Sequence, residues 1–535
     1  MDCATQPLGW PVSRYAHMTK RLSQRIEHIA SHYDVVVVGS GYGGAISASR
    51  LARAGLSVCL LERGREILPG EYPKSSAELL PQLQMTVPSE LTSVLQHPSD
   101  QPLGHELGLF NFHVQAEISV LVGCGLGGTS LINAGVSLRP PGSVFQDPVW
   151  PAALRATADG QLPEALRLGF ERAERMLGAT PYPKDQPEPT KQRVHRESAA
   201  SIGAEFSKVP INVTFTDREN EVGILQPGCN GCGDCVTGCN YGSKNTLIMN
   251  YLPDAKNFGA AIFTEVRVGR VSRIEPGRGY RVHYQCQGGL PGIPRAAEAF
   301  VTADIVVLSA GTLGTAEILL RSREAGLSLS PRLGERFSGN GDVLAFSYNG
   351  DSRVHGVGCG TRAPDAQAPV GPCITSLLDL RKQPGTGGCI IEEGALPGAF
   401  DAFLSGSFLA ASRAVGQRGQ TEPRRLAAQS LRESRSMLAG PHEGAVEHTQ
   451  TYLVMVDDGS DGRLKLGADG GLRIEWPGVG SKPVFQRAAE HVQGLARALG
   501  AVYLPNPVWT PRLRNSLISV HPLGGCALSD RAEHG

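Results

Sequence analysis

Three groups of residues have the types and spacing that chemistry requires. Gly39, Gly41 and Gly44 form G-x-G-x-x-G. In that pattern the first glycine allows a tight turn and the second lets backbone N–H groups approach a pyrophosphate. The third lets helix and strand pack closely. Glu62 lies at the distance beyond them where a carboxylate accepts ribose hydroxyls. Together they point to a dinucleotide site; the plainer reading is a tight turn between two core strands. Cys229, Cys232, Cys235 and Cys239 form C-x2-C-x2-C-x3-C, the spacing of a ferredoxin half-motif, with Asn240 where proline usually follows. Thiolates so spaced hold an iron–sulfur cluster or zinc. In ferredoxins the fourth cysteine serves a second cluster, and this sequence has no second run. Local disulfides and a metal-free cysteine loop therefore stay open beside a metal centre. His521 begins His-Pro-Leu-Gly-Gly. A neutral imidazole suits exchange of a hydroxyl proton near neutral pH, and Pro522 and the glycines would fix its backbone. The plainer reading is a satisfied polar histidine.

Certain elements must position these residues. Residues 34–38 are a β-branched run suited to a buried parallel strand. Residues 45–54 suit a helix that Gly55 ends, and 56–61 a second strand. A strand over 118–122 leads into another glycine-rich turn, 123–135, where Thr129 and Ser130 can start a helix. A nicotinamide cofactor has no need of this second turn. A flavin dinucleotide is longer and wants close backbone approach at its pyrophosphate and again at its ring; the alternative is packing alone. Residues 262–263, 266–268 and 280–284 alternate as strands. A buried strand over 304–311 then ends in a glycine turn, and a helix starts at 315. The chain thus returns to the dinucleotide sheet. This interleaving predicts a discontinuous cofactor domain over 33–65, 110–145, 226–345 and 510–535. Substrate-domain and cover segments fill 66–109, 146–225 and 346–509. Residues 1–32 form a lead-in in which Leu22, Ile26 and Ile29 have helical spacing. Phe400, Phe403, Leu404, Phe408 and Ala411 make an apolar helical face, either core or a cover over an apolar substrate site. Residues 417–435 are charged and suit a solvated helix or loop.

Composition narrows the partners. Lys+Arg and Asp+Glu each number 51 in 535 residues, so the net charge of zero gives no support for a nucleic-acid partner. No apolar run reaches the length of about eighteen residues that a membrane span needs. The first residues have basic side chains but no hydrophobic secretory core, so the expectation is a cytosolic setting. The twelve cysteines would then be mostly reduced.

The motifs taken together resemble the glucose–methanol–choline flavoprotein oxidoreductases, in particular the cholesterol oxidase branch with dissociable FAD. They are VGSGYGGA at 38–45 with Glu62, GCGLGGTSLINAG at 123–135, and YGSKNTL at 241–247 running on to Glu265 and Val266. LSAGTLGTAEILL at 308–320, LGERFSGNGD at 333–342 and HPLGG at 521–525 follow in the family's order. The resemblance implies an α/β fold: a Rossmann-type FAD-binding domain with an inserted α+β substrate domain whose sheet roofs the flavin. It implies that Gly39, Gly41, Tyr42, Gly43 and Gly44 face the pyrophosphate and Glu62 the adenosine ribose. Gly128, Thr129, Asn133, Ala134 and Val136 would lie along the flavin, and Val266 would give backbone contacts to adenine. His521 matches the family's active-site histidine. The implied reaction is FAD-dependent oxidation of an apolar alcohol, a sterol or long-chain alcohol, by hydride transfer to flavin N5. Oxygen or another acceptor would reoxidise the flavin, and peripheral membrane contact is compatible with such substrates.

The resemblance also raises expectations at the margins. Cholesterol oxidases use a substrate-domain glutamate to isomerise a double bond, and the nearest candidate is Glu447, one residue out of register. In the family a strand, an Asp-Gly-Ser turn and an Asn-Pro opening a last helix follow the histidine motif. Neither Asn515 nor His534 has that context, so the expectation is a chain truncated at its C-terminus. The cysteine run at 229–239 departs from the pattern. It gives the rival reading its basis: a non-catalytic flavin-binding or flavin/iron–sulfur electron-relay protein. A nicotinamide dehydrogenase is disfavoured by the second glycine turn.

Overall fold

A computed structural model describes residues 20–88, 103–274, 277–287, 298–383, 388–416 and 422–535. The β-branched run forms the strand His32–Val38, in which Val35, Val36 and Val37 have no exposed surface. Both neighbours run parallel to it: Val58–Leu61 on one side and Ala299–Leu308 on the other, with Val38 opposite both Leu61 and Leu308. A strand covered on both faces has no polar side to show, which is why the run does not alternate. Ala261–Phe263 extends the sheet beyond Val58–Leu61. Tyr280–Cys286 and Val266–Arg273 extend it beyond Ala299–Leu308 as antiparallel strands, making six in all. The return of residues 299–308 to the first strand is the interleaving the sequence pattern predicts.

A second six-stranded sheet is antiparallel throughout, in the order Val502–Pro505, Val343–Tyr348, Gln450–Met455, Ile390–Gly394, Ser376–Asp379, Glu205–Lys208. Cross-strand partners share a face. Tyr452 stands opposite both Ala345 and Glu393, and this face packs on the helices Thr190–Ser198 and Pro483–Ala498. Leu453 stands opposite both Leu344 and Glu392, on the other face. The far end of that second face is covered by the helix Asp401–Val415. Its Phe408 packs edge-on to Phe346 at 4.9 Å and stacks on Tyr348 at 5.6 Å. The apolar stripe therefore divides: Leu404 and Phe408 are buried, whereas Phe403 is exposed. Pro423–Ala439 follows as the charged helix, and residues 417–421 lie outside the described residues.

A five-stranded sheet joins the second glycine-rich turn to the histidine. The strand Ile118–Gly123 enters the second glycine turn, and Leu517–Ser519 pairs parallel to it, with Ser519 opposite Val120. His521 is delivered two residues later. Two local expectations change. Leu22, Ile26 and Ile29 lie in extended backbone with a single 3₁₀ turn, Ile26–His28, because Gln24 bridges to Phe263 and draws the segment along the sheet edge. Residues 1–19 of the lead-in lie outside the described residues. Thr129 and Ser130 lie in the 3₁₀ turn Gly128–Leu131 rather than an α-helix.

Candidate active site

The glycine turn is fixed by backbone contact. A Cβ on Gly39 (φ +91°) would lie 2.4 Å from the Ser309 carbonyl oxygen, and one on Gly44 would lie 1.9 Å from that of Gly39. Gly41 differs: a Cβ there meets nothing within 4 Å, so its face is open. The second glycine turn closes on the same spot, since a Cβ on Gly128 would stand 3.0 Å from the Gly41 Cα. Tyr42 and Asn133 link the two turns, with Asn133 Nδ2 donating to the Tyr42 hydroxyl at 2.9 Å. Asn133 Oδ1 is buried and has no hydrogen-bond partner among the described residues. Thr129 Oγ1 accepts from the Gly123 N–H at 3.1 Å. A buried acceptor without a donor is costly unless a ligand meets it.

Glu62 ties both turns together. Its carboxylate accepts from Ser40 N (3.0 Å), Ser40 Oγ (2.6 Å) and Gly64 N (2.8 Å), while Ser40 Oγ accepts from Gly127 N at 2.8 Å. A carboxylate offers roughly four lone-pair sites, so about one remains for a ribose hydroxyl. Val266 is buried and donates its N–H to the Glu62 carbonyl at 2.9 Å. That N–H is therefore not available to an adenine. Val136 bridges to Ile211, and Ala134 packs against the cluster containing Val213, Cys235 and Cys373.

His521 is held by one buried carboxylate. Its Nδ1 lies 2.8 Å from Asp342 Oδ1. Asp342 Oδ2 accepts from Val520 N (2.8 Å), Ser519 Oγ (3.1 Å) and His521 N (3.2 Å). This arrangement assigns the proton to Nδ1 and leaves Nε2 as the free base. Burial opposes the charged imidazole, but the hydrogen bond and charge of Asp342, with the charge of Glu392, outweigh it. The His521 pKa consequently rises above its ordinary value.

Glu392 is the residue that sequence reasoning missed. It lies on the strand Ile390–Gly394, is 3% exposed, and its carboxyl has no hydrogen-bond partner among the described residues. Burial pushes its carboxyl up to about 8; the His521 charge works the other way, and Glu393 and Asp342 add to the rise. The signal available in the sequence was a pair of glutamates inside an apolar strand, Ile390-Ile391-Glu392-Glu393. Glu447 is not brought to this group. Its Oε1 is 2.6 Å from Arg353 Nε, and its backbone carbonyl holds the N–H groups of Val354 and His355. It braces the turn before Gln450–Met455 instead.

The family model described as GMC oxidoreductase matches residues 33–338, more than half of the chain. The chain belongs to the GMC oxidoreductase family. It is 31% identical over 319 residues to a cholesterol oxidase of Mycobacterium tuberculosis, covering 56% of this chain and 50% of that protein. A cholesterol oxidase of Acinetobacter baumannii is 27% identical over 330 residues, 58% of this chain and 55% of the relative. A long-chain-alcohol oxidase of Arabidopsis thaliana is 26% identical over 348 residues, 62% of this chain and 40% of the relative. The chain thus spans about half the length of the curated relatives it matches. A solved fungal aryl-alcohol oxidase shares the fold with a TM-score of 0.52 at 14% identity, covering 95% of this chain and 92% of that one.

GMC oxidoreductases bind FAD, and the residues present fit it. The open face of Gly41, its approach to Gly128, and the unpartnered Asn133 Oδ1 form a cradle between the two turns. Gly39, Tyr42, Gly43 and Gly44 lie along the first turn of this cradle, and Glu62 is tied to it through Ser40.

The cysteine run lies beside this GMC site. Cys229, Cys232, Cys235 and Cys239 line one cavity of about 20 Å³ together with Asp234 and Lys244. All four are free thiols, so the local-disulfide alternative is not realised. Among the described residues no group of three or more His, Cys, Asp or Glu side chains is gathered to hold a metal ion.

Proposed function

We propose that this chain oxidises an apolar alcohol, a sterol or long-chain alcohol, to the corresponding carbonyl compound with FAD as the immediate acceptor. The observation that carries the reading is the His521–Asp342 pair with its Nε2 free. Bound FAD supplies the hydride acceptor, its N5, for the carbinol hydrogen. His521 takes the hydroxyl proton at Nε2. Asp342 keeps the imidazole in the required tautomer and balances the charge it gains, as a buried carboxylate does for other catalytic histidines. Glu392, largely protonated at neutral pH, offers a hydrogen bond to the substrate oxygen from the opposite side.

Preference for an apolar substrate is supported by the face that carries Glu392. Leu344, Leu453, Leu377 and Phe346 share it, and Leu344 keeps 37% exposure there. The relatives named above include cholesterol and long-chain-alcohol oxidases. The test is flavin bleaching in anaerobic protein against a panel of sterols, long-chain alcohols, glucose and choline. Sterols or fatty alcohols are expected to bleach it fastest. Faster bleaching by glucose or choline would reject the substrate class. No bleaching by any alcohol, in protein that retains FAD, would favour the electron-relay reading.

A further inference from the structure

The sheet face that carries Glu392 holds a second unsatisfied polar group, which proton transfer at His521 leaves unused. Asp342 immediately precedes the strand Val343–Tyr348, and Leu344 and Phe346 follow it at steps of two residues. Residues two apart on a strand share a face and are displaced by about 7 Å along it. Across the sheet, Leu344 is level with Leu453 and Glu392, and Phe346 is level with Thr451 and Gly394. The face therefore reads in one direction: the Asp342–His521 pair, then the level of Glu392, then the level of Thr451.

Two independent observations mark that last level. Thr451 is 7% exposed, and its Oγ1 is buried without a hydrogen-bond partner among the described residues. A hydroxyl so placed carries its full desolvation cost until something bonds to it. Gly394, opposite Thr451, is also buried. A Cβ built on it would stand 3.5 Å from Thr451 Cγ2. Apart from its chain neighbours, no other described side chain or backbone comes within 4 Å of that point. A Cβ on Gly398, four residues on, would instead lie 2.3 Å from Gly360 N. The backbone of Gly394 thus leaves space beside the Thr451 hydroxyl that no core side chain fills. Apolar rings close the same level, since Phe346 packs on Phe408.

Resting on the alcohol-oxidation reading, we propose that the substrate carries a second oxygen, several carbons from its carbinol, that accepts a hydrogen bond from Thr451 Oγ1 in the space left by Gly394. The class is an apolar diol or hydroxy-ketone rather than a plain hydrocarbon alcohol. The carbinol oxygen sits between His521 and Glu392, so the second oxygen lies roughly 7 Å farther along the face, one step of two residues. A threonine hydroxyl can donate to a hydroxyl or to a carbonyl oxygen alike. Thr451 touches no reacting atom; it selects the substrate and sets its direction on the sheet.

The test is anaerobic flavin reduction by the full chain loaded with FAD, with alcohols compared in matched sets. Dodecan-1-ol is set against analogues bearing a hydroxyl or oxo group on the second, fifth or last carbon. A sterol is set against the same sterol with a hydroxyl or oxo group on ring B. Where the second oxygen reaches the Thr451 level, on the fifth carbon or on ring B, the rate at low substrate should exceed that of the plain alcohol about tenfold. Whether the hydroxyl or the oxo analogue gains more tells diol from hydroxy-ketone. Thr451→Val should bring the ratio to about one, and Thr451→Ser should keep it. Gly394→Ala should lower it by filling the space. Without substrate, Thr451→Val should raise the thermal midpoint, because valine keeps the shape and removes an unsatisfied hydroxyl. A lowered midpoint would show the hydroxyl to be bonded within the folded chain and would overturn the site. Equal rates within each set, a preference for the last carbon instead, or a preference that survives in Thr451→Val would sink the second-oxygen site and leave oxidation at His521 standing. No reduction by any alcohol in FAD-loaded protein would sink the oxidation reading and the site with it.

Discussion

Glu392 and Glu393 are adjacent on one strand and live in opposite chemical worlds. Glu393 points to the helix-covered face, where Lys191 Nζ lies 3.0 Å away and Thr375 N, Thr375 Oγ1 and Ser376 N also donate to it. Both members of that ion pair have no exposed surface. Glu392 points to the His521 side, equally hidden from water, with no hydrogen-bond partner among the described residues and a pKa near 8. Burial is therefore not what separates a structural carboxyl from a reactive one. The separation is whether the surroundings already satisfy the charge.

The sharpest way to break this comparison is to unbalance the satisfied side. Lys191→Met strands a buried carboxylate and is expected to destabilise the fold by about 3–5 kcal/mol, read from denaturant midpoints. Flavin reduction by the folded fraction should hardly change; a parallel loss of reduction rate would mean that the two faces are not independent.

On the His521 side the largest effect belongs to the proposed base. His521→Ala should slow flavin reduction by alcohol roughly a hundredfold or more, about 2.7 kcal/mol or more of barrier, with FAD content unchanged. An unaltered stopped-flow rate would return His521 to a structural role.

Glu392→Gln tests the unsatisfied carboxyl through stability. The folded value of about 8 lies above the ordinary 4.5. Between those values the folded chain holds a proton that the unfolded chain has released, so wild-type stability falls as pH rises across that window. The glutamine variant lacks this slope. Its advantage should grow from near zero at pH 4.5 to on the order of 4 kcal/mol at pH 8. Parallel stability curves for the two proteins would contradict the assignment.

Asp342→Asn should give the smallest shift. Without the carboxylate charge the His521 pKa falls, so the neutral base persists to lower pH. The acid limb of the reduction profile should move to lower pH, with a slower plateau because the imidazole tautomer is no longer enforced. An unmoved limb would show that Asp342 does not act on the imidazole.

The two halves of the site were not equally legible in the sequence. The glycine turn announced itself because a valine run, three glycines and an acid are local and their geometry is dictated by backbone sterics. His521 could be read from its Pro-Leu-Gly-Gly context. The carboxyl facing it could not, because that depends on which way a strand's alternation falls once it is paired. Reading along the chain picked Glu447, which braces a turn; the register of Glu392 against Leu453 and Leu377 places another glutamate on the His521 side. Asp342 stood in a recognised motif without a role, since its partner is 179 residues away. The short strand Leu517–Ser519 was invisible because it is defined by the neighbour it finds at Ile118–Gly123.

The clasp at Asp342 also orders events in time. Four donors from residues 519–521 converge on one carboxylate across 177–179 residues of chain. Contacts of such long sequence separation close late in folding, after the local strand–turn–helix unit has formed. During refolding in the presence of FAD, recovery of circular dichroism should therefore precede recovery of alcohol-driven flavin reduction. Competence for the reaction becomes a clock for the last step of assembly, because the base acquires its orientation only when the two distant ends of the cofactor region have met.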